Sequence, residues 1–600
     1  MIYSRESQWQ FLEEELAEQI KDFDDKLKTP AISLMEKGEV FTAQFITFNK
    51  GGEMLVRFAV SRPIPRKGEY LYCMTLHKEL RDFRNWGNRY YGDLVKDKTN
   101  HTQAICGWMT PSDDPRFMLV GFVGIDLEFF QWISDTPGVV LVFGPDKPPL
   151  EYMINLQKVV SNQTSEAINS ILDMDYYDQD WSPSMVPDGK DLSGYFRNSF
   201  SLADTLVLQG PPGTGKTFQI ANLCRSLCLD GKSVLVTALT NRALMEVAEK
   251  EAMEELLKEG SVFKTRITTD EAKDIPRLVL DNDAIPRSGC VTLSTFYVSS
   301  GLAANSESDY SFDYVIVDEA SQAVLPMLAA ARRLGRKALF VGDVKQLAPV
   351  VQLREIKIER GKYQRLVDGF KSITERSAFP ILQLGYTRRL AERATKYTGL
   401  FYSNSLVSKA STKFFSSGIP ILNAEGGPTL LKTDAVVGDQ EPESCIMLAT
   451  AIVDAVHRRF PKKKIAVLSC LKKSVRTLQK SIREHVRIND IIVDTVARVQ
   501  GLTTEFCVFV VPNTHYVRTL DPRLFNVATS RASEHTVIIT DKEVLSYSRM
   551  NPSVYEFLST LDKEYSFYFP FNKGQAYLSS GDEILSVLIG LASEVSTGPQ

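Results

Sequence analysis

The chain lacks any apolar run long enough to cross a bilayer. Its longest late stretch, 584–592, is nine residues and contains Ser586 and Gly590, against the ~20 that a spanning helix needs. It opens on Met1, Ile2, Tyr3, Ser4, Arg5 and Glu6, without the basic segment and apolar core of a secretory leader. Cysteine is sparse. The eight, at 73, 106, 224, 228, 290, 445, 470 and 507, form no C-x-x-C pair, and the six histidines are scattered. That speaks against a zinc site or a disulfide framework and for small buried hydrophobes in a reducing compartment, the cytoplasm or nucleus. No repeat of 20–50 residues and no low-complexity tract is visible. Positive charge is not in excess either: 70 Lys and Arg against 74 Asp and Glu leave −4 over 600 residues. Bulk electrostatic capture of nucleic acid is thereby excluded, and any such binding needs a locally basic groove.

What is there is a globular mix, 44 % hydrophobic and 24 % charged, in a chain long enough for several domains. Apolar residues at helical spacing predict a helix over 1–30, with Trp9, Phe11, Leu12, Leu16 and Ile20 on one face. Short alternating stretches between glycine turns predict a small antiparallel β module over 38–150. A second helix is expected over 152–173, then a polar, loop-rich stretch to about 204. From 205 the pattern becomes apolar strand, turn, helix, repeated. Strands at 205–208, 233–237, 314–317 and 338–341, and again at 465–469, 491–493, 506–511 and 536–540, read as buried parallel strands. The fold class is α/β, with two tandem parallel-sheet domains and a hinge near 376–380.

The strongest signal is Gly210-Pro211-Pro212-Gly213-Thr214-Gly215-Lys216-Thr217, between an apolar strand and a helix. Its glycines let backbone N–H groups turn inward around phosphate oxygens, and the helix N-terminus adds favourable partial charge. Lys216 can reach the β- and γ-phosphates of ATP, and the Thr217 hydroxyl can ligate Mg²⁺. A second apolar strand ends in Asp318-Glu319, an ending that buried strands rarely have unless the charge has a partner. Asp318 is the expected Mg²⁺ ligand and Glu319 the expected general base. After the next strand comes Gly342-Asp343-Val344-Lys345-Gln346-Leu347.

GPPGTGKT, VDEASQA and GDVKQLAPV, in that order and spacing, resemble a superfamily-one helicase. They are most similar to the 5′→3′ group of the nonsense-mediated-decay RNA helicase and its DNA-acting relatives. The resemblance is specific over 205–545 and implies two RecA-like motor domains. It sets Gln346 against the γ-phosphate. In Phe525-Asn526-Val527-Ala528-Thr529-Ser530-Arg531 it makes Arg531 an arginine finger. In Leu382-Gln383-Leu384-Gly385-Tyr386-Thr387-Arg388-Arg389 it makes Tyr386 the adenine-stacking residue and leaves Arg388 or Arg389 as a second finger, Arg388 being favoured. Gln163 faintly matches the motif that reads adenine, and a solvated helix-start glutamine fits it equally. Thr240, Asn241 and Thr295, each just after a strand, resemble backbone contacts to a single strand. Gln500-Gly501-Leu502-Thr503 is closer to DNA helicases of the group than to its RNA-acting branch. The β module becomes a small β-barrel on a helical stalk. Its stretch 84–91 offers either base stacking or a turn with Trp86 packed inward.

The expected domains are 1–175, stalk and barrel; 176–375, motor one; 376–550, motor two; and 551–600, a tail. The expected activity is ATP-dependent unwinding and single-strand translocation, 5′→3′, with DNA slightly favoured. Expected partners are single-stranded DNA or RNA and tailed duplexes, and no membrane, the chain acting as a monomer or a recruited subunit. The rivals are the motor of a helicase–nuclease and an ATP-switched clamp. No H-x-K-x₄-D string occurs in the chain.

Overall fold

The computed structural model describes residues 4–570, apart from 137, 175–180, 354–362, 412–417, 436–437, 487–490, 500 and 513–518. Gln500 and the 584–592 run therefore lie outside the described residues. No described helix is long and apolar enough to cross a membrane.

The alternating segment forms six antiparallel strands: β1 (Phe41–Phe48), β2 (Met54–Ala59), β3 (Tyr70–Leu76), β4 (Lys98–Pro111), β5 (Phe117–Val123) and β6 (Val140–Gly144). They close in the order β1-β2-β5-β4-β3-β6, so that no edge is left unpaired. Inward positions carry Phe45, Phe58, Val120 and Phe122, and Phe122 stacks on Phe143 at 4.6 Å. Trp86 is buried, its indole N–H donating to the Leu80 carbonyl at 2.9 Å. The turn reading of 84–91 is therefore the one that holds.

Helix Arg5–Leu27 packs along helix Leu150–Ser161. The helix expected over 152–173 is two. Asn162 Oδ1 accepts the N–H groups of Thr164 (3.0 Å) and Ser165 (3.1 Å), which ends the first helix, and Ser165 caps helix Glu166–Leu172. Arg5 pairs with Asp173 at 2.8 Å. The buried Glu15 carboxylate accepts backbone N–H groups of Gln352 (2.9 Å) and Leu353 (3.0 Å), tying this helical layer to the first motor.

The first parallel sheet contains β7 (Ser184–Met185), β8 (Thr205–Gln209), β9 (Val234–Ala238), β10 (Val262–Lys264), β11 (Val279–Leu280), β12 (Val291–Thr295), β13 (Phe312–Val317), β14 (Gly335–Gly342) and β15 (Ile381–Gln383). Their order is β11-β10-β12-β9-β13-β14-β8-β15-β7. Helices cover both faces, so successive residues of one strand serve different cores. Leu206 and Leu208 enter one cluster and Val207 the other, which is why such strands read as unbroken apolar runs. After the short pair β16 (Tyr386–Thr387) and β17 (Val407–Ser408), a second parallel sheet follows. It comprises β18 (Gly427–Thr433), β19 (Ile465–Ser469), β20 (Ile492–Thr495), β21 (Thr504–Val511), β22 (Ala532–Asp541) and β23 (Ser566–Phe569), in the order β20-β19-β21-β22-β18-β23.

Two expected boundaries move. β15 pairs with β8 in the first sheet, so that sheet reaches Gln383, past the expected break at 375. Residues 552–569 are no tail. Helix Pro552–Glu564 buries Phe557, Leu558 and Leu561 in the second motor's core, and β23 completes its sheet beside β18. Arg332 and Arg333 lie in the last turn of the helix that leads into β14. Both are buried, donating to Gly335 O (2.6 Å) and Ala303 O (2.8 Å).

His535, at the start of the second motor's β22, stacks over Phe506 with ring centroids 5.3 Å apart. Burial pushes its imidazole down to about 4 from 6.5. The unfolded chain therefore takes up this proton first as pH falls. The stabilisation is complete above 6.5 and is lost toward 4, by about 2 kcal/mol at pH 5. Thermal melts at pH 7 and pH 5 should show a smaller acid-induced drop for His535→Phe, which keeps the stacked ring. An equal drop would mean that another group carries the acid sensitivity.

Candidate active site

β8 delivers Gly210 to the cleft, and helix Lys216–Leu229 leads away from it. Gly213 (φ +74°) and Gly215 (φ +83°) take left-handed conformations that only glycine adopts without strain. A Cβ on Gly213 would also lie 2.4 Å from Arg389 Cβ. Lys216 Nζ donates to Gly210 O at 2.7 Å, folding the lysine back over its own loop, and the Thr214 hydroxyl closes the turn on Pro211 O at 2.8 Å. Burial lowers the Lys216 ammonium pKa, against the pull of Asp343 and Asp318.

The acids come from β13, separated from β8 by β14. Asp318 Oδ2 lies 3.5 Å from the Thr217 hydroxyl, the arrangement of two oxygen donors that a Mg²⁺ ion could share. On a continuing strand Glu319 would face away from Asp318. Instead it sits at φ +51°, a left-handed conformation rare outside glycine, and its N–H donates to Asp318 Oδ1 at 2.8 Å. Gln322 Nε2 holds the Glu319 carboxylate at 2.6 Å. Burial lifts Asp318 to about 6. Burial, with Asp318 next to it, lifts Glu319 to about 7.

The second motor faces these groups. Arg531 is fully buried, with Nε on Val527 O (2.9 Å) and Nη1 on Leu502 O (3.3 Å). Burial pulls it down to about 9, the like charge of Arg389 adds to that, and Glu319 opposes it. A Cβ on Gly501 would lie 3.7 Å from Glu319 Oε1, so the second motor's backbone passes close to the base candidate.

The second finger favoured from the resemblance is Arg388. It is exposed and paired with Asp188 at 3.2 Å. The Thr387 hydroxyl donates to Pro212 O at 3.1 Å, and the Arg388 N–H to Gly213 O at 2.9 Å. With the strand's backbone laid on the loop in this way, alternation sends Arg388 outward and half-buried Arg389 inward, where it acts electrostatically on Lys216 and Arg531. Tyr386 is half-buried, with Lys409 Nζ 5.3 Å from its ring centroid, and Lys409 shares Asp188 with Arg388. Gln163 is exposed in the turn after helix Leu150–Ser161. Its carbonyl accepts from Asn169 at 3.0 Å, and it borders a surface groove with Trp9 and Lys158 rather than the phosphate loop. Gln346 is buried and donates to Asp343 Oδ2 at 2.9 Å.

Thr240, Asn241 and Thr295 converge, because β9 and β12 are neighbours in parallel register, Ala238 beside Thr295. The Thr240 hydroxyl caps helix Asn241–Ala248 through the Ala243 N–H at 3.2 Å. Asn241 Oδ1 accepts from the buried Lys264 Nζ at 2.9 Å, and the same ammonium pairs with Glu271 at 2.9 Å. No local sequence signal marks Lys264, and Gln322 lies inside VDEASQA without an expected role. Arg389 was in view, but only its inward register distinguishes it.

Two family models, both described as AAA domain, match residues 198–352 and 392–543. The DNA replication ATP-dependent helicase/nuclease dna2 of Schizosaccharomyces pombe is 25 % identical over 390 residues, which is 57 % of this chain and 27 % of that protein. The chain belongs to the 5′→3′ branch of the superfamily-one helicases. An uncharacterized ATP-dependent helicase of Methanocaldococcus jannaschii is 25 % identical over 292 residues, 45 % of this chain and 42 % of that one. The arterivirus nonstructural protein 10 helicase aligns at 13 % identity over 80 % of this chain and 79 % of its own, with a TM-score of 0.35. This superfamily-one chain thus spans about a quarter of its fission-yeast relative and less than half of the archaeal one.

Substituting the two neighbouring arginines separates their roles. Arg389→Ala should lower ATP turnover by about a hundredfold or more, toward the range in which arginine fingers act. Arg388→Ala should stay within about threefold of the parent, as expected of an exposed ion pair. Steady-state ATPase assays decide, and the reverse order would restore Arg388.

Proposed function

We propose that the chain is an ATP-hydrolysing helicase that translocates along a single strand 5′→3′, with DNA favoured over RNA. The observation that carries this reading is the convergence, in one cleft, of Lys216, Asp318 and Glu319 from one motor with Arg531 from the other. Such a cleft is complete only when both motors close on the nucleotide, and that makes hydrolysis a switch for relative domain movement.

In this reading Lys216 and the loop N–H groups hold the β- and γ-phosphates. Thr217 and Asp318 would hold Mg²⁺, which when bound supplies charge neutralisation at the phosphate oxygens. Glu319, oriented by Gln322, takes the proton of the attacking water. Arg531 and Arg389 offset charge on the departing phosphoryl group. Gln346 reads the γ-phosphate, and Tyr386 stacks on the base. Thr240, Asn241 and Thr295 line the strand's path, where hydroxyls and an amide grip the backbone without reading sequence.

Lys216→Ala should abolish nucleic-acid-stimulated ATP turnover, a loss of at least about a hundredfold. Glu319→Gln should retain ATP binding and stop hydrolysis, and equal loss of both would remove its role as base. Polarity and substrate are read together from unwinding of matched DNA and RNA duplexes with 5′ or 3′ tails. Preference for a 3′ tail, or for RNA, would overturn those parts of the proposal.

A second reading, the motor of a helicase–nuclease, is favoured by the printed name of the S. pombe relative. In that case nuclease activity resides in a partner or in a further part of the protein. Labelled single-stranded DNA should stay intact with this chain and Mg²⁺ alone, and degradation would put the nuclease in these residues.

A further inference from the structure

A buried hydrogen-bond network joins the two motors beside the phosphate sensor. Asp343, at the end of β14, is 1 % exposed. Its Oδ1 accepts the Lys345 N–H at 2.9 Å. Its Oδ2 accepts two donors: Gln346 Nε2 at 2.9 Å, from the same motor, and the Tyr402 hydroxyl at 2.6 Å, from the segment following helix Glu392–Gly399 in the second. Asn526, on helix Pro522–Thr529, donates its Nδ2 to that hydroxyl at 2.8 Å and to the Lys345 carbonyl at 2.9 Å. Next to this, Leu347 of the first motor packs on the second motor's core with Phe525. Arg523 and Asp368 make a further ion pair across the same junction.

The chemistry determines where the proton lies. An amide nitrogen only donates, so the Tyr402 oxygen accepts from Asn526 and its own proton goes to the Asp343 carboxylate. A hydroxyl bonded to a buried carboxylate makes a charge-assisted bond, stronger than a neutral one. The Gln346 amide and the Tyr402 hydroxyl thus share one carboxylate oxygen. Anything that turns the Gln346 amide toward a γ-phosphate leaves that oxygen to Tyr402 alone, which strengthens the contact between the motors. When the phosphate departs, Gln346 returns and the contact is shared again. The two states of the cleft therefore differ in the free energy of one interdomain bond, which a ligand-driven switch requires.

We propose that Tyr402 is a positioning residue whose hydroxyl couples the orientation of Gln346 to closure of the second motor and, through Asn526, to the helix that ends next to Arg531. The proposal rests on the translocase reading and adds to it the element that converts phosphate occupancy into movement. Tyr402 is not expected to touch nucleotide or strand.

Tyr402→Phe deletes one oxygen and keeps the ring. The measurements are affinity for a fluorescent ATP analogue, nucleic-acid-stimulated turnover, and ATP consumed per nucleotide advanced. Affinity should stay within about threefold, while ATP consumed per nucleotide should rise about tenfold, in keeping with loss of a buried bond to a charged acceptor. A merely structural role would lower hydrolysis and movement in proportion, and an unchanged ratio overturns the proposal. Asn526→Asp is the second variant, for use if Tyr402→Phe melts early. Its carboxylate competes with Asp343 for the hydroxyl proton, and the same rise in ratio is expected. An unchanged ratio there counts equally against the proposal. A parent chain without nucleic-acid-stimulated ATPase would defeat the translocase reading and this coupling together. A parent that translocates, beside variants with its own ratio, would defeat the coupling alone.

Discussion

Keeping charge out of water is the constraint around which this molecule is arranged. Lys216, Asp318, Glu319 and Arg531 are each costly to desolvate alone, and neither motor domain holds a balanced set. Burial raises the two carboxylic acids and lowers the lysine and arginine, each toward its neutral form. Opposite charge from across the cleft works against that drift. In this cleft each charge depends on partners supplied by a different strand end or a different domain. The strained backbone at Glu319 belongs to the same economy, because it turns two successive acids toward one space.

The accessory barrel is attached by equally specific means. Gly52 brings its backbone so close to the first motor that a Cβ would lie 2.4 Å from Thr269 O, and the Thr269 hydroxyl donates to Gly52 O at 2.7 Å. Asp270 accepts the Gly124 N–H at 2.8 Å, and Arg266 Nε reaches Asp126 at 2.8 Å. The segment that receives the barrel also carries Lys264, whose ammonium holds Asn241. Barrel docking and the candidate strand contacts therefore share one short stretch of the first motor. On the other side, Arg483 of the second motor approaches Met109 of the barrel at 3.2 Å, so the barrel touches both motors.

Much of the ATP site was legible because its parts are contiguous. A glycine loop, its lysine and its hydroxyl lie within eight residues, and a buried strand that ends in acids advertises itself. The α/β architecture was legible for a related reason, since strands covered on both faces leave unbroken apolar runs. Where the reading failed, the deciding information was a register or a long-range partner. Arg388 and Arg389 are chemically identical and adjacent, and only the pairing of their backbone with the phosphate loop assigns one outward and the other inward. The end of the first sheet was misjudged because β15, three residues long, owes its place to β8 rather than to its own pattern. The supposed tail was misjudged because Phe557 and Leu561 bury against a core built far upstream.

The amino-acid order alone thus determined the chemistry on offer: which residues can cradle phosphate, ligate a cation or accept a proton, and in what succession the strands present them. It did so because those properties reside in side chains a few residues apart. The partners of those groups came only with folding. Tyr402 reaches Asp343 across 59 positions and Asn526 reaches Tyr402 across 124. Lys264 finds Asn241 across 23. Such pairs carry no local periodicity, since they arise only when two sheets and a barrel are packed together.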